Sequence, residues 1–538
     1  MSGSRGRVIN WDGSMRMCVL FKKKHRLKKE WLRLCLLLVS LFPIFVFSQG
    51  QAHQREWNKI CYVLQADAVV STGKYAPFWL VSNRHGLSSL ENNNANLSLG
   101  FFRNFDQKKG FAWAYGAEVA GAYNHYAPFY IQQLYADVKY NCWELSIGSK
   151  ERRSEGKNPK LSGGGLTFAP NSRPIPQIRF GINEYTTVPW WFNGWVKVKG
   201  HFSYGRYTDD RFQRNFTNGA LGSHYTTNLL FHEKTAFLRI VHPSGKGLGW
   251  ESGLEMYTKF GGNLYVQGKY QQTFPTSYLE YIKAFIPMPG GRDAPDEERV
   301  NVNGNVLGSW HAIMDYTAES WKLRAYYEHF FEDHSQMLGI SWVPNREGEI
   351  RFLSYHPWLD GMWGLELELL NVKWLRGVVA EYITSRDQSG PILHNANANF
   401  KEQISGFDYY YNHYYFQSWQ HWGMAICNPH FLSPTYNENG SLSMPNTRIR
   451  SYHIGIDGLP FKEWKYRLMS SYTRHWGSFY DYLPNPGFVV SSMFEMTYIP
   501  SKLKGWYFTG SVSFDCSNLL GDNFGGMVVI KKTGLLTK

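Results

Sequence analysis

Apolar and polar residues alternate with a period of two along much of the chain. In residues 111–124, one face carries large apolar side chains and the other carries small ones together with Glu118. Successive side chains of a β-strand point to opposite sides, so this alternation predicts strands whose two faces meet different surroundings. The pattern recurs in residues 248–256, 310–316, 321–327, 363–369, 466–472 and 506–515. It is typical of an all-β fold, a transmembrane antiparallel β-barrel.

A change of parity between two alternating segments predicts a tight hairpin. Apolar residues occupy the even positions of residues 134–140 and the odd positions of residues 143–148. Only Asn141 and Cys142 separate the two segments. A two-residue turn explains the change and joins the segments as antiparallel neighbours.

A soluble β-sandwich or β-propeller also shows alternation, so other features decide between the classes. Rings often lie at the ends of the alternating segments, where a membrane interface is expected, and aromatic residues make up 17% of the chain. Glutamates repeat on the face opposite the apolar one, as in a wet lumen. No repeat of 20–50 residues is present to indicate a propeller. After residue 48 no apolar run is long enough for a membrane helix. These features favour the membrane barrel.

The chain divides into three predicted parts. Residues 1–48 are a signal peptide, residues 49–100 a periplasmic or plug segment that is partly helical, and residues 101–538 the barrel. Irregular stretches at 150–176, 271–308 and 400–448 predict long extracellular loops, since the longer loops of such barrels face outward. A short helix is predicted at residues 278–286.

The net charge of +14 is concentrated at the N-terminus, where residues 1–48 carry +8. A basic stretch, an apolar stretch and Val46 and Ser48 before a cleavage site are the parts of an export signal. Its start is predicted at Met15 or Met17. The remainder carries only +6 and contains no nucleic-acid motif, which excludes nucleic acid as the expected partner. The predicted destination is the outer membrane of a Gram-negative bacterium, with the membrane lipid and the barrel-insertion machinery as partners.

The chain shows no local signature of a catalytic, metal or cofactor site. It lacks the nucleophile elbow, the P-loop and the H-E-x-x-H spacing. Residues 328–334 contain Glu and His but follow a predicted strand, so they are interpreted as a polar loop tip. The exported cysteines are scattered, and their spacing leaves the disulfide pairing open; they are Cys61, Cys142, Cys427 and Cys516.

One stretch is unusually rich in rings. Residues 406–422 hold nine Phe, Tyr and Trp side chains and two His. Flat rings stack on the C–H face of a sugar, while Asn, Asp, His and Arg bind its hydroxyl groups. A membrane-interface girdle, or a loop packed on itself, would have the same composition, and both alternatives stay open.

Three stretches resemble one family. They are residues 75–86, residues 147–178 with their Arg-Pro-Ile-Pro-Gln run, and residues 408–429 with their Tyr-Tyr-Asn-His run. Together they are similar to the Wzi family of capsule-assembly proteins. The resemblance implies a barrel of about 18 strands and long loops that close its outer mouth. It also implies a helical element near the periplasmic end and lectin-like, non-enzymatic binding of exported capsular polysaccharide. Val306 departs from the family, where His is expected, and the last strand is predicted at residues 524–532.

The expected function is therefore to bind capsular or other surface polysaccharide and to help attach or assemble it at the cell surface. The residues expected to contact the glycan are Arg173, Tyr411, Asn412, His413 and Trp419. Arginine pairs well with acidic sugar groups. Two other functions stay open, a diffusion channel or transporter for saccharides and an outer-membrane enzyme.

Overall fold

The computed structural model describes residues 59–106, 110–188, 192–287, 304–332, 340–342, 350–352, 360–386, 388, 409–478 and 481–536. The predicted signal peptide lies outside these residues.

Strands dominate the described residues. They are β1 (Ile60–Thr72), β2 (Asn93–Arg103), β3 (Phe111–Tyr123), β4 (Phe129–Tyr140), β5 (Trp143–Ser149), β6 (Gln177–Thr187), β7 (Val196–Arg206), β8 (His224–Thr227), β9 (Leu230–Val241), β10 (Gly247–Phe260), β11 (Gly262–Val266), β12 (Lys269–Phe274), β13 (Asn305–Thr317), β14 (Trp321–Glu332), β15 (Ile340–Trp342), β16 (Ile350–Phe352), β17 (Gly361–Leu369), β18 (Gly377–Thr384), β19 (Gln420–His421), β20 (Met424–Ala425), β21 (Ile449–Phe461), β22 (Trp464–Gly477), β23 (Tyr482–Tyr498), β24 (Trp506–Ser517) and β25 (Asn523–Leu536).

Helices are short. They are α1 (Phe78–Val81), α2 (Asp210–Thr217) and α3 (Tyr278–Phe285), with 3₁₀ turns at Phe192–Gly194, Pro429–Phe431 and Pro434–Tyr436. The predicted helix at 278–286 is confirmed by α3. None of the described helices combines the length and the apolar character needed to cross a membrane.

Within the described residues, 18 strands form one antiparallel sheet that closes on itself. Sequential strands pair throughout, and β25 pairs with β1 from Ile60 opposite Leu536 to Thr72 opposite Phe524. Closure leaves no unpaired sheet edge, which lipid could not satisfy. The smaller sheets, β8–β11–β12, β15–β16 and β19–β20, lie in connections between barrel strands. The predicted transmembrane barrel is confirmed.

The pairing of β1 corrects one predicted boundary. Residues 49–100 were expected to lie outside the barrel, yet β1 and most of β2 are barrel strands. Only the stretch between them, residues 73–92 with α1, leaves the wall. The lumen-facing positions of β1 include Gln65 and Asp67, which makes its apolar alternation weak, and its main partner lies at the far end of the chain.

Long and short connections lie at opposite ends of the barrel. Turns such as 141–142 and 462–463 lie at one end, together with the two ends of the barrel chain. The connections 73–92, 150–176, 207–229, 261–304 and 385–448 lie at the other. Short turns are periplasmic and long loops extracellular in barrels of this kind. We call these the periplasmic end and the outer end.

The two faces of the wall differ as predicted. In β3 the rings of Phe111 and Trp113 are exposed on the outside, while Ala112, Ala114 and Glu118 face inward and are buried. Other outward residues include Leu97, Leu145, Phe180, Leu238, Trp250, Leu365, Ile454, Phe494, Val512 and Val528. Such an apolar outer surface fits lipid, and the protein is an outer-membrane β-barrel.

The hairpin prediction is confirmed in detail. β4 and β5 pair up to Tyr140 opposite Trp143, and Asn141 takes a φ of 53° in the two-residue turn. A positive φ is what such turns need, and Asn tolerates it well.

Two strands extend further along the chain than predicted. β14 continues to Glu332, so Glu328 and His329 lie on a wall strand and not in a loop tip. β25 runs past the predicted 524–532 to Leu536. The cysteines Cys61, Cys142, Cys427 and Cys516 are free thiols.

Candidate functional site

Two connections from the outer end fold back into the lumen and fill it. Residues 150–176 and 409–447, which we call the plug, pack together and against the wall. The rings of Tyr410, Tyr411, Phe416 and Trp419 are at most 1% exposed. Barrels of about 16–18 strands otherwise enclose a water channel, so this packing is what closes the lumen.

Two of the predicted glycan-contact residues hold the plug together. The Tyr411 hydroxyl donates to the carbonyl of Leu166 at 2.9 Å, which joins the two plug segments. The Asn412 side chain donates to the Met444 carbonyl at 2.9 Å and accepts from the Met444 N–H at 2.8 Å. Both residues use their polar groups inside the protein, so their positions support a structural role.

His413 and Trp419 are similarly engaged. Nδ1 of His413 accepts from the N–H of Tyr415 at 3.1 Å, and burial lowers the pKa of His413 to about 3. Lys259 Nζ lies 4.5 Å from the centre of the Trp419 ring and donates to the carbonyl of Ser418 at 2.5 Å. These contacts pin the plug to β10. The structure therefore brings these residues together in the plug, where Tyr411, Asn412 and Trp419 are buried and His413 is half-buried.

Arg173 is also buried, with 9% of its surface exposed, but it differs from the other predicted residues in its neighbours. It lies at the outer end beside four partly exposed rings, which we call the ring cluster: Tyr126, Phe212, Phe216 and Trp422. Its guanidinium is 4.9 Å from the centre of the Trp422 ring and 5.9 Å from that of Tyr126. It donates to the Tyr126 hydroxyl at 3.0 Å and to the Ile131 carbonyl at 2.7 Å.

The rings of the cluster stack on one another. Tyr126 and Trp422 have centroids 4.9 Å apart at an interplanar angle of 24°. Phe212 meets Tyr126 edge-on at 5.7 Å and stacks with Phe216 at 5.4 Å. Phe212 and Phe216 are four residues apart on α2, so they share one face of the helix. The result is a patch of rings with a cation at its base.

Asp209 fixes Trp422 against α2. One carboxylate oxygen of this buried residue accepts from the N–H of Trp422 at 3.1 Å and from Nε2 of Gln420 at 3.0 Å. Gly423 follows with a φ of 79°, and a Cβ there would meet the Phe212 ring at 2.5 Å. Asp209, Tyr126, Phe212 and Gly423 were missed by sequence reasoning. Only the i, i+4 spacing of Phe212 and Phe216 offered a local signal.

Hydrogen-bonding groups border the rings. Burial raises the pKa of Tyr126 to about 12, so its hydroxyl stays protonated. Because its oxygen accepts from Arg173, its O–H remains as a donor. Nε1 of Trp422 is 3.4 Å from Oγ1 of the exposed Thr208. Such a patch offers ring faces for apolar C–H groups and polar atoms for hydroxyls.

A separate polar cluster lies on the inner wall. The side-chain atoms of Glu255, His311 and Glu328 that can ligate a metal lie within 4.8 Å of one another, a spacing that could hold a metal ion. Nζ of Lys157 is 2.8 Å from Oε2 of Glu328, so a positive charge of the protein already neutralises this carboxylate. The cluster fits better as part of the plug-to-wall contacts.

No family model matches the chain, and no curated protein matches it. Solved structures do. The fold is similar to that of Wzi. Wzi is an outer membrane protein involved in group 1 capsule assembly in Escherichia coli and a carbohydrate-binding β-barrel. The identity is 12% over 87% of this chain and 83% of Wzi, with a TM-score of 0.53.

Two other outer-membrane barrels match over most of their length. OprD of Pseudomonas aeruginosa is 9% identical to this chain. The match covers 92% of this chain and 100% of OprD, with a TM-score of 0.41. OccAB4 of Acinetobacter baumannii has 9% identity, with coverage of 90% and 100% and a TM-score of 0.43. At these identities the likeness to Wzi speaks for the fold alone.

Proposed function

We propose that this protein is a non-enzymatic, lectin-like barrel that binds exported capsular polysaccharide and helps attach or assemble it at the cell surface. The observation that carries the proposal is the ring cluster around Arg173 at the outer end. The likeness of the fold to the carbohydrate-binding barrel Wzi supports it.

The ring cluster suits a sugar in two ways. Trp422 and Tyr126 are stacked on each other and partly exposed, so a pyranose can pack its C–H groups against the accessible side of the pair. Arg173 holds the Tyr126 hydroxyl in place and supplies a positive charge beneath the rings, which favours a glycan with acidic groups. Arg173 and Trp422 belong to the plug, whose packing holds them in place, so the patch is preorganised and loses little entropy on binding.

A test is to measure binding of capsular polysaccharide, purified from the source bacterium, to the full-length protein in detergent. Trp422→Ala and Arg173→Ala should each weaken binding by about tenfold, the effect of one lost charged or stacking contact. Tyr414→Ala is the matched control, because Tyr414 is 65% exposed on the same aromatic stretch but outside the ring cluster. Unchanged affinity in both cluster variants would refute the site.

A second candidate function rests on the cavities inside the barrel. Two of them, of about 350 and 150 Å³, lie between the plug and the wall, and a third of about 320 Å³ lies mainly between residues 83–87 and the wall. They favour a diffusion pathway for saccharides if the plug opens. Steady conductance in planar bilayers by the unmodified protein would support this function over the first one.

A further inference from the structure

The largest of these cavities lies beneath the plug. Phe168, Ser172 and Ile426 of the plug form one side of it. On the other side it reaches Phe105 and Glu184, which lie near the periplasmic ends of the strands. Its volume of about 350 Å³ falls in the usual range of small-molecule sites. We call it the arginine cavity.

Most carboxylates of the arginine cavity already have cationic partners. Glu155 pairs with Lys199 at 2.6 Å, and Glu184 pairs with Lys139 at 2.9 Å. Glu233 pairs with His201 at 2.7 Å and with Arg179 at 3.4 Å. These pairs offset most of the negative charge of the wall, and among the described residues Glu144 is the lining carboxylate left without an ion pair.

Besides Arg173 of the ring cluster, which also lines the cavity, two of its arginines are left without an ion pair. Across the described parts of the chain, Arg152 and Arg153 form no ion pair. Among the described residues, Nη2 of Arg152 is buried and has no hydrogen-bond partner. Burial and the neighbouring Arg179 lower the pKa of Arg152 to about 10, while Glu144 and Glu233 act on it at longer range. Nearby carboxylates act on the charge of this half-buried guanidinium without forming an ion pair with it. Holding a guanidinium there without a direct partner is costly, and an anion would relieve that cost.

Rings line the same space. Phe105, Phe168, Phe231 and Tyr257 contribute to its walls. A guanidinium pairs with a carboxylate or phosphate through parallel hydrogen bonds, and rings accept the C–H face of a sugar. The combination is suited to an acidic saccharide more than to a simple inorganic anion.

We propose that the arginine cavity binds a saccharide that enters from the periplasmic side, through its carboxylate or phosphate group, with Arg152 and Arg153 as the anion ligands. Arg173 borders both the arginine cavity and the ring cluster, whereas Arg152 and Arg153 line the cavity and are not part of the ring cluster. The site therefore goes beyond the proposed function and does not depend on it. It would hold acidic sugar on the side from which exported glycan arrives.

The test is calorimetric titration of the full-length protein in detergent with glucuronate, glucose and inorganic phosphate. Glucuronate should bind about tenfold more tightly than glucose, and the double variant Arg152→Gln/Arg153→Gln should weaken it about tenfold or more. Lys502→Gln, which removes an exposed charge from the periplasmic end, is the control and should leave affinity unchanged. Phosphate that competes with glucuronate supports recognition through the anionic group, and phosphate that fails to compete supports recognition of the sugar acid as a whole.

Glucuronate affinity within about twofold of the unmodified protein in the double variant would overturn the proposal, as would an equal loss in the control. Folding is checked by the heat-dependent shift of the barrel on a gel. If the double variant does not fold, Arg153→Gln alone carries the test, since Arg153 is exposed to the cavity. Capsule binding at the outer face is measured in parallel. Its retention in the double variant separates this site from the ring cluster.

Discussion

Trp419 and Trp422 lie three residues apart in the same aromatic stretch and have opposite surroundings. Trp419 is 0% exposed and faces Lys259 at 4.5 Å. Trp422 is partly exposed and faces Arg173 at 4.9 Å. Each ring thus has a cation against its face, and the two rings differ in how deeply they are buried.

The comparison teaches that aromatic density does not by itself define a glycan surface. The rings inside the plug replace the water that an open barrel of this size would hold. The rings at the outer end remain accessible and can stack on a ligand. Substitutions at the two positions should therefore affect different properties, stability at Trp419 and binding at Trp422.

The largest effect is expected for Trp419→Ala. Removing this buried ring should lower the free energy of unfolding by about 3–5 kcal/mol, because a cavity remains in the plug. Urea unfolding of the protein in lipid vesicles measures it. Trp419→Phe, which keeps a ring at the site, should cost clearly less. A stability of Trp419→Ala equal to that of the unmodified protein would contradict the buried position.

An intermediate effect is expected for Asp209→Asn. The neutral amide accepts more weakly from the Trp422 N–H, and its NH₂ group must face either the two donors that share one oxygen or Nε2 of Gln213 at the other, so Trp422 should lose its fixed position. Polysaccharide binding should weaken by about tenfold. The near-ultraviolet circular dichroism of the stacked rings should fall as well.

The matched control for this prediction is Asp210→Asn. Asp210 is the next residue, and its carboxylate accepts from the N–H of Asn228, away from Trp422. Equal losses of binding in the two variants would speak against a positioning role for Asp209.

The smallest effect at neutral pH concerns His413. Its folded pKa of about 3 lies below its ordinary value of 6.5, so between these values the unfolded chain binds more protons than the folded protein. Stability should therefore fall as the pH drops from 6.5 toward 3 and change little from this group below 3. Buried histidines such as His125, with a pKa of about 4, act in the same direction.

His413→Asn isolates the contribution of His413, because Asn can still accept from the backbone N–H groups of Tyr415 and Phe416. The variant should show a shallower loss of stability with acid than the unmodified protein. Urea midpoints at several pH values measure this slope. The same slope in both proteins would mean that His413 is accessible to protons in the folded plug.

Local patterns were enough for much of the wall. β3 and the hairpin of β4 and β5 were predictable because lipid on one side and a polar lumen on the other impose a period of two on each strand. β1 was not, because its polar lumen face blurs the period and its partner β25 lies at the other end of the sequence. The five predicted contact residues rest on composition and family resemblance, and neither of these indicates how deeply a side chain is buried.

The sequence by itself therefore determined a membrane barrel, its hairpins and a ring-rich outer connection, since these depend on neighbours along the chain. Only the tertiary structure decided that Tyr411, Asn412 and Trp419 are buried and that His413 is half-buried. Their partners, such as Leu166 and Lys259, are distant in sequence and meet them only when the plug enters the barrel. The same closure left Arg173 beside partly exposed rings and Arg152 without an ion pair among the described residues. Burial is a property of the closed barrel, and no local pattern encodes it.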